Sequence, residues 1–60
     1  MATILLIEDI DDNATLVKKA VEAKGIDFLW ASTGTEGMKI ALETIPDLIL
    51  LDLGLPDIDG

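Results

Sequence analysis

Three carboxylates stand where a chain can most readily build chemistry. Glu8 and Asp9 follow directly on the apolar run Ile4-Leu5-Leu6-Ile7, and Asp52 follows directly on Leu48-Ile49-Leu50-Leu51. If the two runs are neighbouring parallel strands, all three acids meet at one sheet edge, on strands about 4.8 Å apart. Unpaired carboxylates that close repel by roughly 1 to 4 kcal/mol per pair, depending on solvent access, so the cluster implies a cation. With no His and no Cys in the chain, the donors are hard oxygens, which suit magnesium, calcium or manganese better than zinc or copper. Magnesium is the best match, because it tolerates one or two protein carboxylates, fills its octahedron with water and usually shares its site with a phosphate.

The elements that must hold these acids can be read from periodicity. Ile4 to Ile7 is short, continuous and rich in branched residues, as expected of a strand buried on both faces. Ala14, Leu16, Val17, Ala20, Val21 and Ala23 then recur at helical spacing, with Asp11 or Asp12 placed to cap the start and Gly25 to end it. Ile26 to Ala31 returns to strand character. Ser32 or Thr33 can cap a second helix whose apolar face is Met38, Ala41, Leu42 and Ile45, and Pro46 stops it. Leu48 to Leu51 is a third strand, followed by turn-rich chain from Asp52 to Gly60.

The order β-α-β-α-β with short connections calls for a parallel sheet with right-handed crossovers, residues 1–60 forming one small domain or part of one. Asp27 marks the second strand as an edge, so the spatial order is 2-1-3, with the helices on opposite faces. The path then reverses at the first strand and leaves a crevice at the carboxyl ends of strands one and three, where open α/β sheets place their ligands. Gly34 and Gly37 form a G-x-x-G without the rest of a nucleotide fingerprint, and read as turn and packing glycines. Trp30 reads as a packed strand residue, with an exposed interface role as the alternative.

Composition narrows the partners. Twelve acids against four lysines give a net charge of −8, which makes nucleic acid a poor partner. No apolar run reaches the roughly 20 residues that span a bilayer, and Met1-Ala2-Thr3 lacks a basic n-region, so a soluble, cytoplasmic chain is expected. Half of the residues are hydrophobic, which argues against disorder. A chain this short nevertheless buries only about 60% of the surface it exposes when unfolded, so association or a larger context is expected.

Glu8-Asp9 after one apolar strand, Asp52 after another, the approach Pro46-Asp47-Leu48-Ile49-Leu50-Leu51 and the string Asp52-Leu53-Gly54-Leu55-Pro56-Asp57-Ile58-Asp59-Gly60 together closely resemble the receiver domain of bacterial two-component response regulators. The resemblance spans the whole chain and implies a flavodoxin-like fold. It implies a phosphoacceptor rather than an enzyme: Asp52 takes a phosphoryl group from a partner histidine kinase or phosphotransfer protein. Asp9 and Asp52 bind Mg2+ directly, the Gly54 carbonyl supplies a third ligand and Glu8 acts through water. Pro56 and Gly60 shape the loop. These roles fit the physics, since a carboxylate is a weak nucleophile and a bound metal both orients it and offsets charge on the transferring group.

The chain ends at Gly60, close to halfway through the family's pattern. Receivers place a Ser or Thr after a fourth strand and a Lys after a fifth, whereas Lys18, Lys19, Lys24 and Lys39 all fall on the expected helices. Phosphotransfer is therefore expected to be slow or absent in these residues by themselves. The third strand, with no charge or proline to blunt it, is expected to pair with another copy, giving a homodimer through that edge or through exchanged elements. A self-assembling half-domain with idle acids is the alternative function. A magnesium-dependent phosphatase is a weaker third reading, set aside because Asp12 does not stand at D-x-D spacing from Asp9.

Overall fold

The structure is a computed structural model in which residues 2–51 are described, with Met1 and residues 52–60 outside the described part. It contains β1 (Thr3–Ile7), α1 (Asp11–Glu22), β2 (Asp27–Ala31), α2 (Gly34–Thr44) and β3 (Leu48–Leu51). All strand pairings are parallel and the sheet order is β2-β1-β3. The most buried strand, β1, lies in the centre with Leu5, Leu6 and Ile7 buried, and the strand that opens with exposed Asp27 lies at the edge.

Alternation along the strands sends side chains to two layers. Leu5, Ile7 and Ala31 form one cluster, joined by Leu29 and by Ile40 and Ala41 of α2. Phe28 and Trp30, of opposite parity on β2, border a cavity of about 240 Å³ with Asp11, Ala14, Thr15 and Lys18 of α1. The helices thus cover opposite faces, as right-handed crossovers require when the first runs from β1 to β2 and the second returns past β1 to β3.

The ends of the helices are set locally. Ile10 occupies the N-cap of α1 with φ −105° and ψ 116° and no side-chain cap. Asp11 and Asp12 lie in the first turn, where they complement the helix dipole, so the expected capping role falls to neither. Gly25 closes the turn after α1 at φ +73°, a left-handed conformation that glycine adopts without a Cβ clash. Thr33 caps α2 as expected, its hydroxyl oxygen accepting from the Glu36 N–H at 3.1 Å. Ile45 ends α2 in the left-handed region at φ 49°, its N–H donating to the Ala41 carbonyl at 2.9 Å, and Pro46 prevents continuation.

The apolar face of α2 differs from the expected one. Gly34 and Gly37 are buried and Ile40 and Ala41 half-buried, while Met38, Leu42 and Ile45 are 63%, 80% and 82% exposed. The cause is close approach: a Cβ on Gly37 would collide with the Ile7 side chain, coming within 2.5 Å of Cγ1. The helix therefore turns Gly34, Gly37 and Ala41, with Ile40, toward the sheet, and leaves its other large residues outside. On α1, Ala14 and Val21 are buried and Val17 half-buried, but Leu16, also expected on the apolar face, is 68% exposed.

Candidate functional site

The acids after β1 are placed by the sheet itself. Glu8 extends the β1–β2 pairing by one residue, its N–H donating to the Ala31 carbonyl at 3.0 Å. The Trp30 indole N–H, on the neighbouring strand, donates to the Glu8 carbonyl at 2.8 Å. The Glu8 carboxylate in turn accepts from the Ile10 N–H at 3.3 Å, folding over the start of the loop. Glu8 is half-buried and Asp9 exposed. Asp11 and Asp12 follow within the first turn of α1, so four acids lie within five residues at this end of the sheet.

The other half of the expected site approaches on β3. Leu51 is the register partner of Ile7, as Leu48 is of Ile4, so β1 and β3 run abreast to the same edge. At the opposite end the pairing is clamped: the Thr3 N–H donates to the Asp47 carboxylate at 2.7 Å, and the Asp47 N–H donates to the Thr3 carbonyl at 2.9 Å. Asp52, the Gly54 carbonyl, Pro56 and Gly60 lie outside the described residues. Among the described residues Glu8 and Asp9 are brought together, and no group of three or more acids is close enough to hold a metal ion.

What those two acids offer suits a hydrated hard cation: oxygen donors only, one held by the backbone and one open to solvent. The lysines lie elsewhere. Lys18 and Lys19 are on α1, Lys39 is on α2, and Lys24 sits in the turn just past α1 rather than on it. Trp30 is the residue whose part here sequence patterning missed, because alternation placed it on a face but gave no sign that its N–H reaches a loop carbonyl.

A doubly wound α/β sheet whose central strand delivers acids to the carboxyl edge defines a narrow class of proteins, and comparison with known proteins identifies which. Residues 4–60 match the response regulator receiver domain family, and the chain belongs to that family. It is 42% identical over 60 residues to the transcriptional regulatory protein AfsQ1 of Streptomyces coelicolor, covering 100% of this chain and 27% of that protein. It is 34% identical over 58 residues to the polar-differentiation response regulator DivK of Brucella ovis, covering 97% of this chain and 47% of the relative. A solved receiver domain protein from Clostridium thermocellum superposes with a TM-score of 0.92 at 32% identity, over 100% of this chain and 49% of that one. The chain thus spans about half or less of the length of these relatives.

The same findings bear on the phosphatase reading. Its stated ground fails, since Asp9 and Asp11 do stand at D-x-D spacing. Membership of the receiver family, and the position of Asp11 as the first residue of α1, set it aside instead. No helix among the described residues is long and apolar enough to cross a membrane.

Proposed function

We propose that residues 1–60 form the acid-bearing half of a receiver unit in which Asp52 accepts a phosphoryl group, Asp9 and Asp52 ligate Mg2+ with the Gly54 carbonyl, and Glu8 supports the ion through water. The observation that carries this reading is the register of β1 and β3. Ile7 and Leu51 are partners, Glu8 and Asp9 continue from one, and Asp52 is the next residue after the other.

The transfer is a substitution at phosphorus. An Asp52 carboxylate oxygen forms the new P–O bond, the P–N bond of a phosphohistidine on a kinase or phosphotransfer partner breaks, and the imidazole leaves. Magnesium, when bound, offsets negative charge on the phosphoryl oxygens. Glu8 and Asp9 hold the positive charge at the edge, while Pro56 and Gly60 shape the loop that carries Gly54. The protein is the acceptor in this reaction, not a turnover catalyst. No lysine of these residues stands at a strand end, so transfer to Asp52 is slow in this chain by itself. Its net charge of −8 directs it away from nucleic acid, and the cytoplasm is its proposed compartment.

Magnesium titration followed by Trp30 fluorescence tests the site, since the indole is hydrogen-bonded to the acidic loop. A saturable change that weakens at least tenfold in Asp52→Asn is expected, as is a hydroxylamine-sensitive acyl phosphate in the parent only. No response to magnesium in either chain sinks the reading.

A second reading, a self-assembling homodimer joined at β3 or by exchanged elements, is favoured by one observation. Leu48, Ile49 and Leu51 of β3 are 50%, 45% and 44% exposed, and Met38, Leu42 and Ile45 of α2 are bare as well. Sedimentation of the same samples distinguishes it: a folded monomer at micromolar concentration removes the homodimer.

A further inference from the structure

The geometry points to Trp30 as a positioning residue for the metal-binding loop, acting through its indole N–H on the Glu8 carbonyl. The inference rests on the magnesium site proposed above and adds a residue to it.

The Glu8 backbone is held from β2 on both sides. Its N–H is fixed by the Ala31 carbonyl at 3.0 Å, within the ordinary parallel pairing of the strands, and its carbonyl by the Trp30 side chain at 2.8 Å. The second bond is the unusual one, because it comes from a side chain rather than from the ladder and acts where the ladder has ended. The peptide plane this carbonyl belongs to also carries the N–H of Asp9. Pinning that carbonyl fixes the plane, and with it the direction in which the chain leaves toward Asp9 and Ile10. The Glu8 carboxylate then closes on the Ile10 N–H at 3.3 Å, so the loop is braced from outside by Trp30 and from inside by Glu8.

Trp30 is suited to the task by its place in the sheet. It is the register partner of Leu6, two residues before Glu8, and the indole is long enough to span that offset along the strand. Its ring borders the groove against α1 with Phe28 and Ala14 and is 39% exposed. An apolar body resting on the α1 face with its polar edge turned to the loop satisfies both parts of the side chain. A purely packed role calls only for the ring; the positioning role calls for the N–H.

Two replacements separate these requirements. Trp30→Phe keeps an aromatic ring and removes the donor. Incorporation of β-(3-benzothienyl)alanine at position 30 keeps the bicyclic shape and replaces N–H by sulfur. Magnesium affinity is measured by calorimetry, thermal unfolding gives the structural effect, and the Asp9 and Ile10 amide resonances of the metal-free chain report the loop. Both variants are expected to stay folded and to bind magnesium about fivefold more weakly, as the loss of one hydrogen bond of ordinary net strength implies, with those two amides shifted before any metal is added. Affinity within twofold of the parent in the benzothienyl variant, or unmoved Asp9 and Ile10 resonances, overturns the positioning role while leaving the site reading intact. A parent chain that binds no magnesium overturns both.

Discussion

Two residues show how a side chain's absence and presence are each used near the acidic edge. Gly37 is the contact point between α2 and the central strand, and the Ile7 side chain fills the space where a Cβ would stand. In an exposed helix Gly→Ala gains about 1 kcal/mol; here the new methyl meets Ile7, itself only 5% exposed and packed with Leu5 and Ala31. Overpacking of that kind costs about 1 to 3 kcal/mol, so Gly37→Ala is expected to lower stability by about 1 kcal/mol in denaturant unfolding, and adding Ile7→Val is expected to recover part of it. The sequence displayed this glycine as one of a G-x-x-G pair and suggested packing. What it could not display was the partner, because a contact between residues 7 and 37 depends on the height of α2 above the sheet. For Glu8 and Asp9 the legibility was better: acids directly after a buried apolar run can only emerge at the strand's carboxyl end.

Elements were read well in kind and less well in phase. All three strands, both helices and the edge position of β2 follow from apolar runs, helical spacing and a charged residue at a strand start. The orientation of α2 did not follow, since large apolar residues dominate a hydropathy pattern whereas close packing on β1 selects small ones, and Met38, Leu42 and Ile45 consequently face outward. Ile45 combines that exposure with φ 49°. A β-branched residue is strained in this region by roughly 1 to 2 kcal/mol, and little burial offsets the strain. Ile45→Gly is expected to raise monomer stability by about 1 kcal/mol, read as a higher denaturant midpoint at unchanged slope. A loss of stability would mean that Ile45 is buried in the species actually present in solution. The N-terminus of α1 carries a related lesson. Asp11 and Asp12 are good capping residues by type, yet the chain leaves β1 through Glu8 and Asp9 so directly that Ile10 takes the cap and the aspartates enter the helix.

At the scale of the molecule, the sheet order is what the proposed cooperation of acids distant in sequence depends on. Placing β1 between β2 and β3 brings two strand ends abreast, and the reversal of direction at β1 opens the edge where they finish. That arrangement was legible because alternation of strands and helices admits few topologies. Asp52 falls outside the described residues, and its proposed role rests on family membership and on the register that leads to it. The Thr3–Asp47 clamp bears on a different property, the order in which the molecule assembles. It joins residues 44 apart, twice the 22-residue separation of the Trp30–Glu8 bond, so β1-α1-β2 can form while β3 is still searching and the clamp engages late. A contact made after the rate-limiting step changes the rate of escape from the native state more than the rate of reaching it. Asp47→Ala is therefore expected to speed unfolding several-fold in stopped-flow measurements with little effect on refolding, which makes this aspartate a latch on the lifetime of the folded chain.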